Sequence, residues 1–202
     1  MPYEIWEGTA CFTTHVVRAH TPVFTAPQYM ETVCQALNHA REKSDLKIYG
    51  YVIMPDHLHL LTSVGQPAKL NATLVAFRRF TAFKIFEMLE MDRKTWALKP
   101  LQQASGNGQL WADGFTPRDA SRGDIFDQKL DYIHMNPVRT GFVRSPEDWQ
   151  YLSARHYYLH EKGPVAIDHI WEGPMDWQIE NQAANEHKDT GCNKVQPEPP
   201  PT

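Results

Sequence analysis

The 202-residue chain predicts a single α+β domain built on an antiparallel sheet, and three observations carry that expectation. Runs of β-branched and aromatic residues alternate with stretches of helical periodicity. A Pro-Asp pair joins two apolar runs with no helix between them. The resulting order is strand, helix, strand, strand, helix, strand, and then one added C-terminal helix. That order is the ferredoxin-like split β-α-β arrangement, shared with RRM modules, in which helices cover one face of the sheet.

The first strand is CFTTHVVR, residues 11 to 18. Between Gln28 and Lys43 the apolar positions Met30, Val33, Cys34, Leu37 and Ala40 recur at helical spacing, which predicts an amphipathic helix. Leu46 to Met54 and His57 to Val64 are strand patterns, and Pro55-Asp56 supplies the turn between them. A long helix is expected from Leu70 to Met91, with Leu70, Leu74, Phe77, Thr81, Ile85 and Met88 along one stripe. The polar stretch from Gln102 to Gly108 predicts a loop, and Leu110 to Phe115 a fourth strand. Arg122 to Met135 predicts the added helix, which Asn136-Pro137 should stop. Residues 1 to 160 are expected to form the domain and 161 to 202 a C-terminal extension, whose proline-rich end QPEPPPT has the composition of a disordered tail.

Composition narrows the function classes. Apolar residues make up 42% and charged residues 22%, ordinary values for a globular protein. The formal charge of -4 argues against a nonspecific DNA coater, so contacts to nucleic acid would need a local basic face. Three scattered cysteines, Cys11, Cys34 and Cys192, offer neither a disulfide framework nor a zinc-thiolate site. No stretch has the ~18 consecutive apolar residues of a membrane span, and MPYEIWEGTA lacks the pattern of a leader. A soluble, cytoplasmic protein is expected.

The chemistry concentrates in YVIMPDHLHLL, residues 51 to 61. On a strand His57 and His59 project to one side, with Cα atoms ~6.6 to 7 Å apart, so their imidazoles can converge on one cation. Leu58 and Leu60 point the other way, into the core. An H-x-H run alone is equally compatible with two inert residues on a half-exposed sheet, and a metal would still require an oxygen donor from elsewhere. DYIHMNPVRTG, residues 131 to 141, provides candidates. Tyr132 and Asn136 are one helical turn apart on one face. If that helix crosses the histidine-bearing face of the sheet, Asn136 offers an amide oxygen and Tyr132 a phenol. Gln128, a turn earlier, is a second candidate oxygen donor, and His134 points to a different face. The bland alternative is that Tyr132 packs and Asn136 ends the helix.

YGYVIMPDHLHLL (49 to 61), LWADGF (110 to 115), LDYIHMNPVRTGFV (130 to 143) and SPEDWQYLSARHY (145 to 157), in this order, resemble the REP-associated tyrosine transposases. These are single-tyrosine members of the HUH superfamily, related to insertion-sequence transposases acting on single-stranded DNA. The resemblance spans about residues 10 to 158. It implies that His57 and His59 form the metal pair, that Asn136 takes the place of the third ligand, and that Tyr132 is the nucleophile. Many relatives have asparagine where this chain has Asp56, which could orient a histidine or merely build the turn.

The resemblance further implies cleavage and rejoining of single-stranded or hairpin DNA through a 5′-phosphotyrosine, with Mg or Mn as the divalent metal. On ligand grounds alone the imidazole pair would also take Zn. Candidates for contacts to DNA phosphates are Arg78, Arg79, Lys84, Arg118, Arg122, Arg139 and Arg144, while Trp111 or Phe115 could stack on bases or fill the core. A monomer is favoured over a homodimer, because the link from Trp111 to the tyrosine helix is short. Two rivals remain at this point: a nucleic-acid-binding platform without catalysis, and a phosphoesterase that activates water.

Overall fold

A computed structural model describes residues 10–66, 69–105 and 109–169. Four strands, β1 (Cys11–Val16), β2 (Leu46–Met54), β3 (His57–Val64) and β4 (Arg118–Asp119), form one antiparallel sheet in the order β2-β3-β1-β4. Helices α1 (Pro27–Ser44) and α2 (Leu70–Met91) pack on one face, and α4 (Gly123–Arg139) packs on the other. A short helix α3 (Thr95–Ser105) follows α2, and α5 (Ala154–Leu159) follows the tyrosine helix. The ferredoxin-like order is therefore present, with α4 as the added element.

Alternation along the strands sorts the two cores. Leu58, Leu60, Tyr51 and Ile53 are buried with Val33 and Leu37 of α1 and Leu74 and Phe77 of α2. Phe12, Val52, Met54 and Leu61 are buried with Phe126 and Ile133 of α4. Strands β1, β2 and β3 thus hide apolar residues on both sides, which explains the nearly continuous apolar run of β2. In α1 all five positions of the expected stripe are buried. In α2 the stripe ends at Leu89, with Met88 only partly covered.

The sheet also contains a bulge. Ile48 pairs with Thr62 and Gly50 with Leu61, so Tyr49 is the extra residue. Gly50 then faces α4, and a Cβ there would lie 2.7 Å from Cδ1 of Leu130. Lacking that atom, the strand lets α4 settle close to it.

Three expectations about elements are corrected. Residues 110 to 115 do not form the fourth strand: only Trp111 bridges to β1's end, at Val17. The chain then turns at Gly114, whose φ is 68°, and Pro117 has no N–H to offer. Pairing resumes at Arg118–Asp119 against Cys11 and Phe12. The tyrosine helix runs through Asn136-Pro137 to Arg139, because a proline in the last turn forfeits only one ladder bond and Pro137 is itself buried. Part of the expected loop after Gln102 belongs to α3, which has apolar Ala97 and Leu101 one turn apart and fully buried.

The outer edge of β2 is covered by later parts of the chain. Ile53 N–H donates to Tyr151 O and Ser153 N–H to Tyr51 O, while Ile48 N–H donates to the Asp168 carboxylate. Arg41 holds that carboxylate through two bonds of 2.7 Å. Residues 161–169 therefore complete the domain beyond the expected boundary at 160, and an edge that would otherwise invite another strand is closed. The expected disordered end lies outside the described residues. No described helix is long and apolar enough to cross a membrane.

Candidate active site

β3 presents His57 and His59 to the α4 side of the sheet. Their rings lie 4.8 Å apart between centroids. His59 is 4% exposed, stacked on Phe12 at 5.4 Å, and its Nδ1 lies 2.9 Å from Oγ1 of Thr14, its cross-strand partner. His57 Nδ1 lies 2.6 Å from Oδ1 of Asp56, and the other carboxylate oxygen of Asp56 lies 2.8 Å from Nδ1 of His20. Both imidazoles are thus held at Nδ1, which leaves Nε2 on each as the nitrogen available to a cation.

Electrostatics agree with neutral histidine at the centre of the site. Burial, assisted by the neighbouring His57, pushes the pKa of His59 down to about 3. Burial alone would raise that of Asp56, but the hydrogen bonds from His57 and His20 outweigh it and hold the carboxyl below its ordinary value. Asp56 therefore does more than build the turn, since it grips the ring of His57 as an anion.

Helix α4 crosses this face. Tyr132, 38% exposed, sets its ring edge-on to His59 at 5.2 Å and to Phe12 at 5.9 Å. The Arg139 guanidinium lies 5.7 Å from the Tyr132 ring centre. Along α4, Phe126 meets Tyr49, and Leu130 and Ile133 both lie beside Gly50. Asn136 is one turn beyond Tyr132 on the same helix. It is 6% exposed, and its Oδ1 is buried without a hydrogen-bond partner. An unpaired amide oxygen in a buried position is costly, and it is the kind of atom a cation would satisfy.

Among the described residues no three His, Cys, Asp or Glu side chains gather around a point. Gln128 is exposed. His134, as expected, faces elsewhere: its Nδ1 lies 3.1 Å from Tyr158 Oη and its Nε2 3.0 Å from Ser153 Oγ.

A cleft of about 530 Å³ opens beside the tyrosine, lined by Phe12, Thr14, His59, Thr116, Arg118, Lys129 and Tyr132. Of the cations expected to meet DNA, Arg118 lies in this cleft and Arg139 lies over the tyrosine. Arg144 is exposed beyond the end of α4. Arg122 precedes α4 and pairs with Asp124 at 2.7 Å. Arg78, Arg79 and Lys84 are on α2, in the layer across the sheet. Arg78 donates to the carbonyls of Ala112 and Gly114, Lys84 pairs with Glu87 at 3.0 Å, and Arg79 is exposed. Trp111 belongs to the core and donates to Thr81 Oγ1 at 3.0 Å, and Phe115 packs against that core beneath Arg78. Lys129 and Thr14 escaped the sequence reading. The three-residue spacing from Lys129 to Tyr132 was visible, but nothing marked this lysine among its neighbours.

A histidine pair on the middle of a ferredoxin-like sheet, under a helix-borne tyrosine, defines an enzyme of the HUH type with a single tyrosine. The model of the family described as "Transposase IS200 like" matches residues 12–136, and the chain belongs to that family. It is 24% identical over 153 residues to the REP-associated tyrosine transposase of Escherichia coli K12, covering 74% of this chain and 78% of that one. A Haemophilus influenzae protein of the same designation is 23% identical over 176 residues, covering 87% and 94%. Among solved structures, a REP-associated tyrosine transposase bound to a REP hairpin shares the fold, with a TM-score of 0.56 at 16% identity over 86% of this chain and 90% of that one.

Proposed function

We infer that this transposase cleaves and rejoins single-stranded DNA at hairpin-forming repeats, with Tyr132 as nucleophile and a divalent metal, Mg or Mn, held by His57, His59 and Asn136. One observation carries the reading most: the tyrosine ring meets the buried histidine while a partnerless amide oxygen waits one turn along the same helix. The hairpin substrate is supported by what the relatives are named for and by what the structural neighbour holds.

The step is a transesterification. Tyr132 Oη bonds to phosphorus, the P–O3′ bond breaks, and the phenol proton lost to solvent is balanced by the one the departing 3′-oxygen gains. A bound divalent metal would withdraw charge from the phosphate oxygens. The chain's own residues provide position: Phe12 and His59 fix the tyrosine ring on two sides, and Asp56 and Thr14 fix the histidines. Rejoining reverses the step when a 3′-hydroxyl attacks the phosphotyrosine, so no other energy source is required. Tyr132 packs on His59 of its own chain, which is the arrangement a self-contained monomer requires.

The test is to incubate the protein with labelled single-stranded hairpin DNA from repeats flanking its own gene, with Mg or Mn, and to resolve the products on a denaturing gel. A metal-dependent protein-linked label, lost in Tyr132→Phe, is expected. Cleavage that persists in Tyr132→Phe without an adduct would establish a water-activating phosphoesterase, and binding with no cleavage on any flanking repeat would leave a binding platform.

A further inference from the structure

The cleft beside Tyr132 is cationic in a protein of net charge -4. Its two charged lining residues are Arg118 and Lys129, and no acidic side chain lines it. Arg118 pairs with Phe12 in the β1–β4 ladder, and directly paired residues share a face of the sheet. The two-residue strand β4 therefore directs Arg118 to the catalytic side. Lys129 precedes Tyr132 by three positions on α4, so both project from the same side of the helix, and its Nζ lies 5.2 Å from the centre of the Phe12 ring. The two cations thus enter the same cleft, one from a strand and one from a helix. Neither has an acidic partner among the described residues, unlike Arg122 or Lys84.

Position along α4 separates this pair from the metal donors. At 1.5 Å per residue, Lys129 lies ~4.5 Å from Tyr132 toward the helix start and Asn136 ~6 Å toward its end. The reacting phosphate belongs at Tyr132 and the Asn136 side, which leaves Arg118 and Lys129 to meet the next one along the strand.

Resting on the transesterase reading, we propose that Arg118 and Lys129 cradle one backbone phosphate of the DNA strand, the phosphate adjacent to the bond that Tyr132 breaks. The cradle sets the register of the strand across the tyrosine. Lys129 is a positioning residue on this account: it grips a neighbouring phosphodiester and gives no proton to the leaving oxygen.

Binding is measured by titration of hairpin DNA against salt in EDTA, so that no cleavage intervenes. The double variant Lys129→Gln/Arg118→Gln should flatten the plot of log affinity against log salt by about 0.7, the loss of one single-strand phosphate contact, each single variant by only part of that, and Lys129→Arg should keep the wild-type slope. The phosphates around the cleavage point are then replaced one at a time by neutral methylphosphonate. At one phosphate next to the scissile one, the neutral substitution should weaken wild type most, Lys129→Gln and Arg118→Gln less, and leave the double variant no weaker than before. Unchanged salt slopes, or additive losses at every phosphate, would overturn the cradle. Saturation at the scissile phosphate itself would overturn its placement. These readouts are independent of covalent chemistry, so absence of an adduct in wild type with an intact cradle would sink the tyrosine reading alone.

Discussion

Replacing Asn136 by leucine should make the protein more stable while abolishing its chemistry. The buried Oδ1 of Asn136 has no hydrogen-bond partner, and such an atom costs a folded protein about 1–3 kcal/mol. Leucine is close in volume, removes the polar atoms, and is the better helix former by a few tenths of a kcal/mol. Imperfect fit returns up to about 1 kcal/mol. A net gain of about 1–2 kcal/mol follows, which for a chain of this size raises Tm by roughly 3–6 °C. The assay is thermal unfolding of wild type and Asn136→Leu, each in EDTA and in excess Mn. Wild type at a hundredfold excess of metal over its Kd should gain about 2.7 kcal/mol, and the variant should lose that gain. Adduct formation should fall at least about a hundredfold, since losing even a residue that only supports a metal ligand costs 10- to 100-fold. The reasoning is refuted if Asn136→Leu is destabilised by more than about 1 kcal/mol yet keeps the Mn-dependent gain, because Asn136 would then be a packing residue.

Other outcomes follow from the same geometry. Asp56→Asn removes the anion that grips His57, and Mn affinity measured by calorimetry should drop about 10- to 100-fold with the fold intact; an unchanged affinity would return Asp56 to the role of turn residue. His15 is buried against Phe77, Trp111 and Phe115, and burial, with Arg78 and His59 adding to it, pushes its pKa from 6.5 to about 3. The folded chain refuses a proton that the unfolded chain accepts, so this stability is complete above pH 6.5 and is lost as the pH falls toward 3. At pH 5 the loss is about 2 kcal/mol, and in urea titrations the difference between pH 8 and pH 5 should shrink by that amount in His15→Leu. Gly50→Val would press on Leu130, costing about 1–3 kcal/mol and shifting α4 with its tyrosine, so that adduct formation slows as well. Adding Leu130→Ala should recover much of both, because the atom in the way is the end of a side chain.

The parts of the site that depend on local periodicity were legible in the sequence. A period of two places His57 and His59 on one face of a strand, and a period near four places Tyr132 and Asn136 on one face of a helix, whatever lies around them. The same rules gave the apolar stripe of α1 and most of that of α2. Local rules misjudged Leu110 to Phe115, where the composition suits a strand but Trp111 is drawn into the core, Gly114 turns the chain and Pro117 cannot pair. They also stopped the tyrosine helix too early, because they do not weigh the burial of Pro137 against one missing hydrogen bond.

By itself the sequence determined the order of the main elements, the two pairs of candidate site residues and the family resemblance, since each is a matter of spacing along one chain. Only the tertiary structure decided that α4 lies on the histidine face, with Gly50 making room for it, and that His59 takes Thr14 as its neighbour. It also brought Arg118 of β4 and Lys129 of α4 into one cleft beside Phe12. Those facts join residues 11 to 117 positions apart, and separations of that length are set by packing between whole elements, which no local periodicity encodes.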